Sequence, residues 1–231
     1  MRTNERRQHL RAALVEAAER VIAERGLPHL KARDLASAVG CAVGAIYNVF
    51  PDLDGLILEV NLRTLVLFEA YIAQAHKDGR PGGAGGGSGA EPSAPVRAPR
   101  ADAAAGGADR AVSDLTRLAV TYLAFASEHP LRWRALFEHR MAGGAALPDW
   151  YLKEQVRLFR YIEEPLGRLC PRLPAHERHL LARTIFSATH GMVSLGLDEK
   201  LMSLPQPTLR HQVECVVQAI SHGLAADPCR S

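Results

Sequence analysis

The stretch Val43-Gly44-Ala45-Ile46-Tyr47-Asn48 sets slim side chains beside a phenol and a carboxamide. A carboxamide such as Asn48 carries a donor and an acceptor on one fork, the pattern that grips an adenine edge. The Tyr47 hydroxyl can reach a phosphate oxygen. Val43 or Ala45 can touch a thymine methyl, and the bare backbone at Gly44 lets phosphate approach. A face this narrow at its leading edge suits a groove about 12 Å wide.

Such residues need a mount, and the flanking sequence predicts one. "KARDLASAV" reads as a short helix with Leu35, Ala36 and Val39 on its apolar side. Gly40-Cys41-Ala42 turns the chain into a second short helix over about 43–49, whose Ile46 and Val49, with Phe50 beyond, face inward. Two short helices joined by such a turn make a helix-turn-helix over about 31–50. Ahead of it, Leu10, Ala13, Leu14, Ala17, Ala18, Val21 and Ile22 recur at helical spacing, with Thr3 or Asn4 as cap and Gly26 as terminator. Behind it, Pro51 breaks the chain, and a long helix starts near Asp52 or Asp54 and runs to about His76.

Charge agrees with a polyanionic partner. The net charge is only +3, yet residues 1–50 hold eight Lys or Arg against five Asp or Glu, so the whole excess lies in front. Lys31 and Arg33 flank the first motif helix, and Arg2, Arg6, Arg7 and Arg11 can supplement them.

Of the 29 residues from 79 to 107, 21 are Gly, Ala or Pro. That composition buries too little apolar surface to offset ordering, so residues 78–109 are expected to form a flexible insert. Beyond it every segment reads as helix: Arg110 to Glu128, Pro130 to about Met141, Pro148 to Cys170 with a kink at Pro165, Ala175 to about Met202, and Pro207 to Ala226. The predicted fold class is all-α, with a three-helix helix-turn-helix domain at 7–67 and a helical ligand-binding and dimerisation domain at 110–231.

In that second domain Tyr122, Phe125, Trp133, Phe137, Met141, Trp150, Phe159 and His190 are candidates to line an apolar effector pocket. The plainer alternative makes the aromatics core and His190 a hydrogen-bonded core histidine. The last two helices are apolar on more than one side, which predicts a homodimer, the alternative being that both sides are filled within one chain; Phe186, Val193, Leu197, Val213, Val217 and Ile220 are the candidate interface.

Other chemistries lack their signatures. No Gly-x-Ser-x-Gly, phosphate loop or dinucleotide fingerprint occurs, and His176, Glu177 and His179 miss the His-Glu-x-x-His spacing. No enzyme activity, metal or cofactor is expected. Cys41, Cys170, Cys215 and Cys229 form no paired framework and read as reduced thiols. With no membrane-length apolar run and no signal-peptide pattern, the expected location is the cytoplasm, away from any membrane. Two rival readings are a metal-dependent enzyme using His176, His179 or His190, and a helical interaction module whose basic front docks an acidic protein.

"LKARDLASAVGCAVGAIYNVFPDLDGLI", with its Gly-x-x-x-Gly-x-Ile-Tyr-x-x-Phe core, resembles the front domain of TetR-type (TetR/AcrR) transcriptional regulators. "SEHPLRWRALFEHR" and "IFSATHGMVSLGL" are similar to the regulatory-domain subtype named for a Trp and a His-Gly pair, with Phe186 where its Trp is expected. The resemblance implies an all-α homodimeric repressor, bound to a near-palindromic DNA operator and released by a small-molecule effector. It also exposes departures. Ala42 and Lys31 stand where the family often has capping Ser or Thr, and Leu53 and Val49 where it often has phosphate-contacting Lys and His or Tyr.

Overall fold

The computed structural model describes residues 2–78, 101–198 and 204–226. Among them there is no strand, and the all-α expectation holds. Helices α1 (Arg2–Arg25), α2 (Ala32–Val39), α3 (Val43–Tyr47) and α4 (Leu53–Asp78) make the front of the chain. After the insert come α5 (Ala101–Glu128), α6 (Pro130–Glu138), α7 (Asp149–Leu158), α8 (Arg160–Leu169), α9 (Ala175–Gly196) and α10 (Gln206–Ala226). Short 3-10 turns occupy Leu27–His29 and Ala142–Gly144.

Several boundaries differ from those the sequence predicts. Helix α1 already includes Thr3 and Asn4, so neither caps it. Residues 101–109, assigned to the insert, begin α5, consistent with the strong helix preference of their alanines; residues 79–100 lie outside the described residues. The break expected at Pro165 falls instead at Phe159, while Pro165 sits buried inside α8. Helix α9 stops at Gly196, and the remainder of its expected course, to Met202, runs out of the described residues, as does Cys229.

The helices form two compact units. The first combines Met1–Ala70 with Ala124–Leu158, and the second combines Tyr71–Leu123 with Phe159–Ser231. Packing therefore groups α6 and α7 with the front helices, a division different from 7–67 and 110–231. One buried cluster runs through the first unit: Leu14, Val15, Ala18 and Ile22 of α1, Leu35 and Ala36 of α2, Ile46 of α3, Val49 and Phe50 beyond it, Leu56 and Val60 of α4, and Ala135 of α6. The i, i+3, i+4 spacing read from the sequence thus does converge on one core.

In the second unit, α9 and α10 pack through residues that correct the dimer assignment. Val193, Val213 and Val217 are fully covered by the chain's own helices and cannot face a partner. Phe186 is tied into a ring cluster with Tyr122, Phe159 and His190, while Leu197 and Ile220 are half-buried. The outward side of α9 carries Leu180, Thr184, Ser187, Ala188 and Leu195, with Leu180 59% and Leu195 51% exposed. Periodicity identified two apolar sides but could not say which turned inward.

At Gly196 the two helices come close: a Cβ there would collide with the Leu209 side chain, itself buried. Gly196→Ala is expected to lower stability by about 1–3 kcal/mol through overpacking, read as a shift in the urea midpoint at constant slope. An unchanged midpoint would mean that Leu209 has room to move.

Candidate nucleic-acid interface

Two left-handed glycines and the core cluster place the motif. Gly40, at φ 74°, ends α2 and donates its N–H to the carbonyls of Ala36 and Ser37, while Cys41 donates to Ala36 at 2.9 Å. This is a Schellman-type close that a side chain at Gly40 would strain. Gly26, at φ 84°, likewise ends α1. As the sequence predicts, Lys31 and Ala42 start α2 and α3 without a side-chain cap. Helix α3 is only five residues long, and Phe50 N–H bonding to Ile46 at 2.8 Å closes its end. A helix this short cannot persist on its own hydrogen bonds; Ile46, Val49 and Phe50, all buried, hold it.

That anchoring fixes which residues look outward. Val43, Gly44, Tyr47 and Asn48 share the exposed side of the turn, with Tyr47 49% exposed, and Ala45 is half-buried at its edge. Space above Gly44 is open, with no atom within 4 Å of where a Cβ would stand. Lys31 and Arg33 are exposed at the start of α2. The face is slim and uncharged.

Not every front arginine is free to join it. Arg11 lies 4.5 Å over the Phe50 ring and pairs with Glu59, so it braces α1 against the end of the motif. Glu19 on α1 takes Arg63 of α4 and Arg132 of α6 on its two oxygens, each at 2.8 Å. Asp52 accepts the Gly55 N–H at 2.8 Å and caps α4, one of the two caps foreseen. Asp54, the other, instead accepts the Ala142 N–H at 2.8 Å and lies 3.5 Å from the His139 imidazole. Apart from the Asp52 cap, these ties join residues far apart in sequence, and local pattern carries no signal for them.

The effector candidates sort into two groups. Tyr122, Phe159 and His190 meet in the second unit around Phe186; the Tyr122 hydroxyl lies 2.7 Å from His190 Nδ1. Phe125, Trp133, Phe137, Met141 and Trp150 belong to the first unit. Phe125 and Trp133 are buried, Phe137 and Trp150 exposed, and Met141 half-buried. An open groove of about 490 Å³ runs between α5 and α10, edged by Asp109, Arg117, Arg210 and Glu214, and none of the eight candidates lines it. His179 is engaged with Glu163 at 2.5 Å, and among the described residues no three His, Cys, Asp or Glu side chains gather as a metal site. Among those residues no helix is long and apolar enough to cross a membrane.

Comparison with known proteins gives this architecture its class. Residues 14–60 match the family described as "Bacterial regulatory proteins, tetR family", and residues 115–220 match "Tetracyclin repressor-like, C-terminal domain". The two matches together span more than half of the chain. The chain belongs to the TetR family of transcriptional regulators, and its C-terminal match carries that broad description rather than the Trp/His-Gly subtype. No curated protein matches it.

Solved structures share the fold. A protein of unknown function from Rhodococcus sp. RHA1 is similar at TM-score 0.61 and 18% identity, over 91% of this chain and 94% of its own. A tetR-family transcriptional regulator from Streptomyces coelicolor gives 0.57 and 18% identity over 96% and 84%. RolR, solved with the ligand resorcinol, gives 0.55 and 16% identity over 99% and 98%.

Two histidines make stability depend on pH. Burial holds the His139 imidazole below the ordinary value of 6.5, against the opposing pull of Asp54 and Asp52, and burial alone lowers His190. Both therefore take a proton more readily in the unfolded chain, so their contribution is full above pH 6.5 and is lost as pH falls below it. The melting temperature is expected to drop between pH 7.5 and 5.5, with a shallower drop in the His139→Gln/His190→Gln variant. An equally steep drop in that variant would assign the dependence to other groups.

Proposed function

We propose that this TetR-family regulator is a cytoplasmic homodimeric repressor without enzymatic activity, which leaves its DNA operator when a small molecule binds. One observation carries the reading: a core-locked α3 leaves Val43, Gly44, Tyr47 and Asn48 exposed. In it α3 enters the major groove, Asn48 reads a base edge, Tyr47 holds phosphate, and Ala45 or Val43 packs on a thymine methyl.

A second copy covers the outward face of α9, where Leu180, Ala188 and Leu195 leave apolar area exposed. Twofold pairing sets two reading faces on half-sites one helical turn, or a multiple, apart. Effector binding that favours a different spacing of those faces releases DNA. The solved complex of RolR with resorcinol supports a small-molecule ligand by analogy of fold.

Selection of genomic fragments with the purified chain, followed by footprinting, tests this. The expected footprint protects two related half-sites. Asn48→Ala should cost about 1–3 kcal/mol of binding and relax specificity at one base pair. Tyr47→Ala should weaken binding with little change in specificity, and Lys31→Ala should reduce the salt slope by about 1. Variants that bind the selected duplex as the parent does would remove α3 from the reading role.

A further inference from the structure

Behind the reading head, the start of α4 and the end of α6 meet at one point. Asp54, in the first turn of α4, accepts the Ala142 N–H at 2.8 Å through Oδ2, while its Oδ1 lies 3.5 Å from His139 Nε2. The His139 side chain, just past α6, is only 7% exposed, and its Nε2 is shut from water without a hydrogen-bond partner. A single carboxylate thus holds two points of the segment that leaves α6. One backbone hydrogen bond and one longer approach make a weak closure, which a modest change in either can open.

These contacts border the core that fixes α3. Asp54 stands between Leu53, which packs against the buried cluster, and Leu56, which belongs to it. On the other side Ala135, about one helical turn ahead of His139, is part of the same cluster as Ile46, Val49 and Phe50. Parting Asp54 from the Ala142 segment therefore loosens two walls of the seat in which α3 is held.

The imidazole is the group through which this contact responds to acid. Asp54 and Asp52 of α4 face it and favour its protonated form, yet burial outweighs them and holds it below the ordinary value of 6.5. Helix α1 and the Leu27–His29 turn also pack on α6. There Glu19 is committed to Arg63 and Arg132, and His29 is exposed. A proton on His139 thus favours the ring in water over the ring in its seat. The closure is complete above pH 6.5 and fades as pH falls below it. Ala142 follows His139 so closely that departure of the ring draws its N–H away from Asp54.

We infer that Asp54 and His139 form a proton-sensitive clasp between α4 and α6 that positions the reading helix, so that acid weakens operator binding while the fold stays intact. This rests on the reading of the chain as an operator-binding regulator and adds a positioning residue and its control. The sign is distinctive. Exposed His9 and His29 gain charge in acid and would strengthen contact with a polyanion.

Affinity of the full-length protein for its selected duplex, measured at pH 7.5 and 5.5 at one salt concentration, tests the clasp, with circular dichroism recording the folded state at each pH. Relative to His139→Gln, the parent should lose about three- to tenfold on acidification, a solvated imidazole titrating near 6.5 setting the upper bound. Asp54→Ala should bind about threefold or more weakly at pH 7.5. Asp54→Asn keeps an acceptor for Ala142 but lacks the charge that steadies protonated His139. It should bind as the parent does at pH 7.5 and lose at least as much at pH 5.5. If Asp54→Ala does not fold, the Asp54→Asn and His139→Gln profiles decide. A ratio of parent to His139→Gln affinity that stays flat with pH, or folded Asp54→Ala binding as the parent does, would overturn the clasp alone. Failure of the parent to protect any duplex at pH 7.5 sinks the regulator reading instead.

Discussion

Everything outward on α3 depends on three side chains that point inward. A five-residue helix is too short to pay for its own nucleation, so its existence is a tertiary fact. Ile46, Val49 and Phe50 insert among Leu14, Ile22, Leu35 and Leu56, and this burial fixes the rotation of α3 about its axis. Turning the helix by one position would sink Tyr47 into the core and expose Ile46. The apolar anchor thus selects the polar face, with no residue of that face contributing much to its own placement. The missing caps at Lys31 and Ala42 make this dependence stronger, since caps typically contribute about 1 kcal/mol each.

Around that anchor, the charged ties all join elements that must keep a common geometry. Glu19 holds α4 and α6 to α1 through Arg63 and Arg132, and Arg11 holds the end of the motif to α4 through Phe50 and Glu59. Exposed pairs of this kind contribute little singly to stability. Their value here is in fixing how α1, α4 and α6 sit around the motif. The Asn61 link to Ala135 belongs to the same set, but it is buried and therefore less screened.

The reading head was legible in the sequence because it is local. The turn at Gly40, the inward Ile46, Val49 and Phe50, the outward Tyr47 and Asn48, and a cap at Asp52 or Asp54 all follow from spacing within thirty or so residues. The dimer face was less legible for a definite reason. Helices α9 and α10 are apolar on two sides, and hydrophobic period cannot distinguish the side that meets α5 and α8 from the side left open. Val193, Val213 and Val217 consequently belong to the interior, and Leu180 and Leu195 to the surface. The Asn61 bond to Ala135 was invisible for another reason: 74 residues separate the two, and an isolated Asn in a helix signals nothing until packing brings its partner to it.

The central claim is that the outward side of α3 meets base edges while its inward side stays packed. Intermolecular NMR contacts between the protein and its selected duplex measure this directly. The account predicts contacts from the Val43 methyls and the Asn48 side-chain amide to major-groove protons, with Ile46 and Phe50 unperturbed. Contacts that instead map to α2 or α6, with Val43 and Asn48 silent, would contradict it.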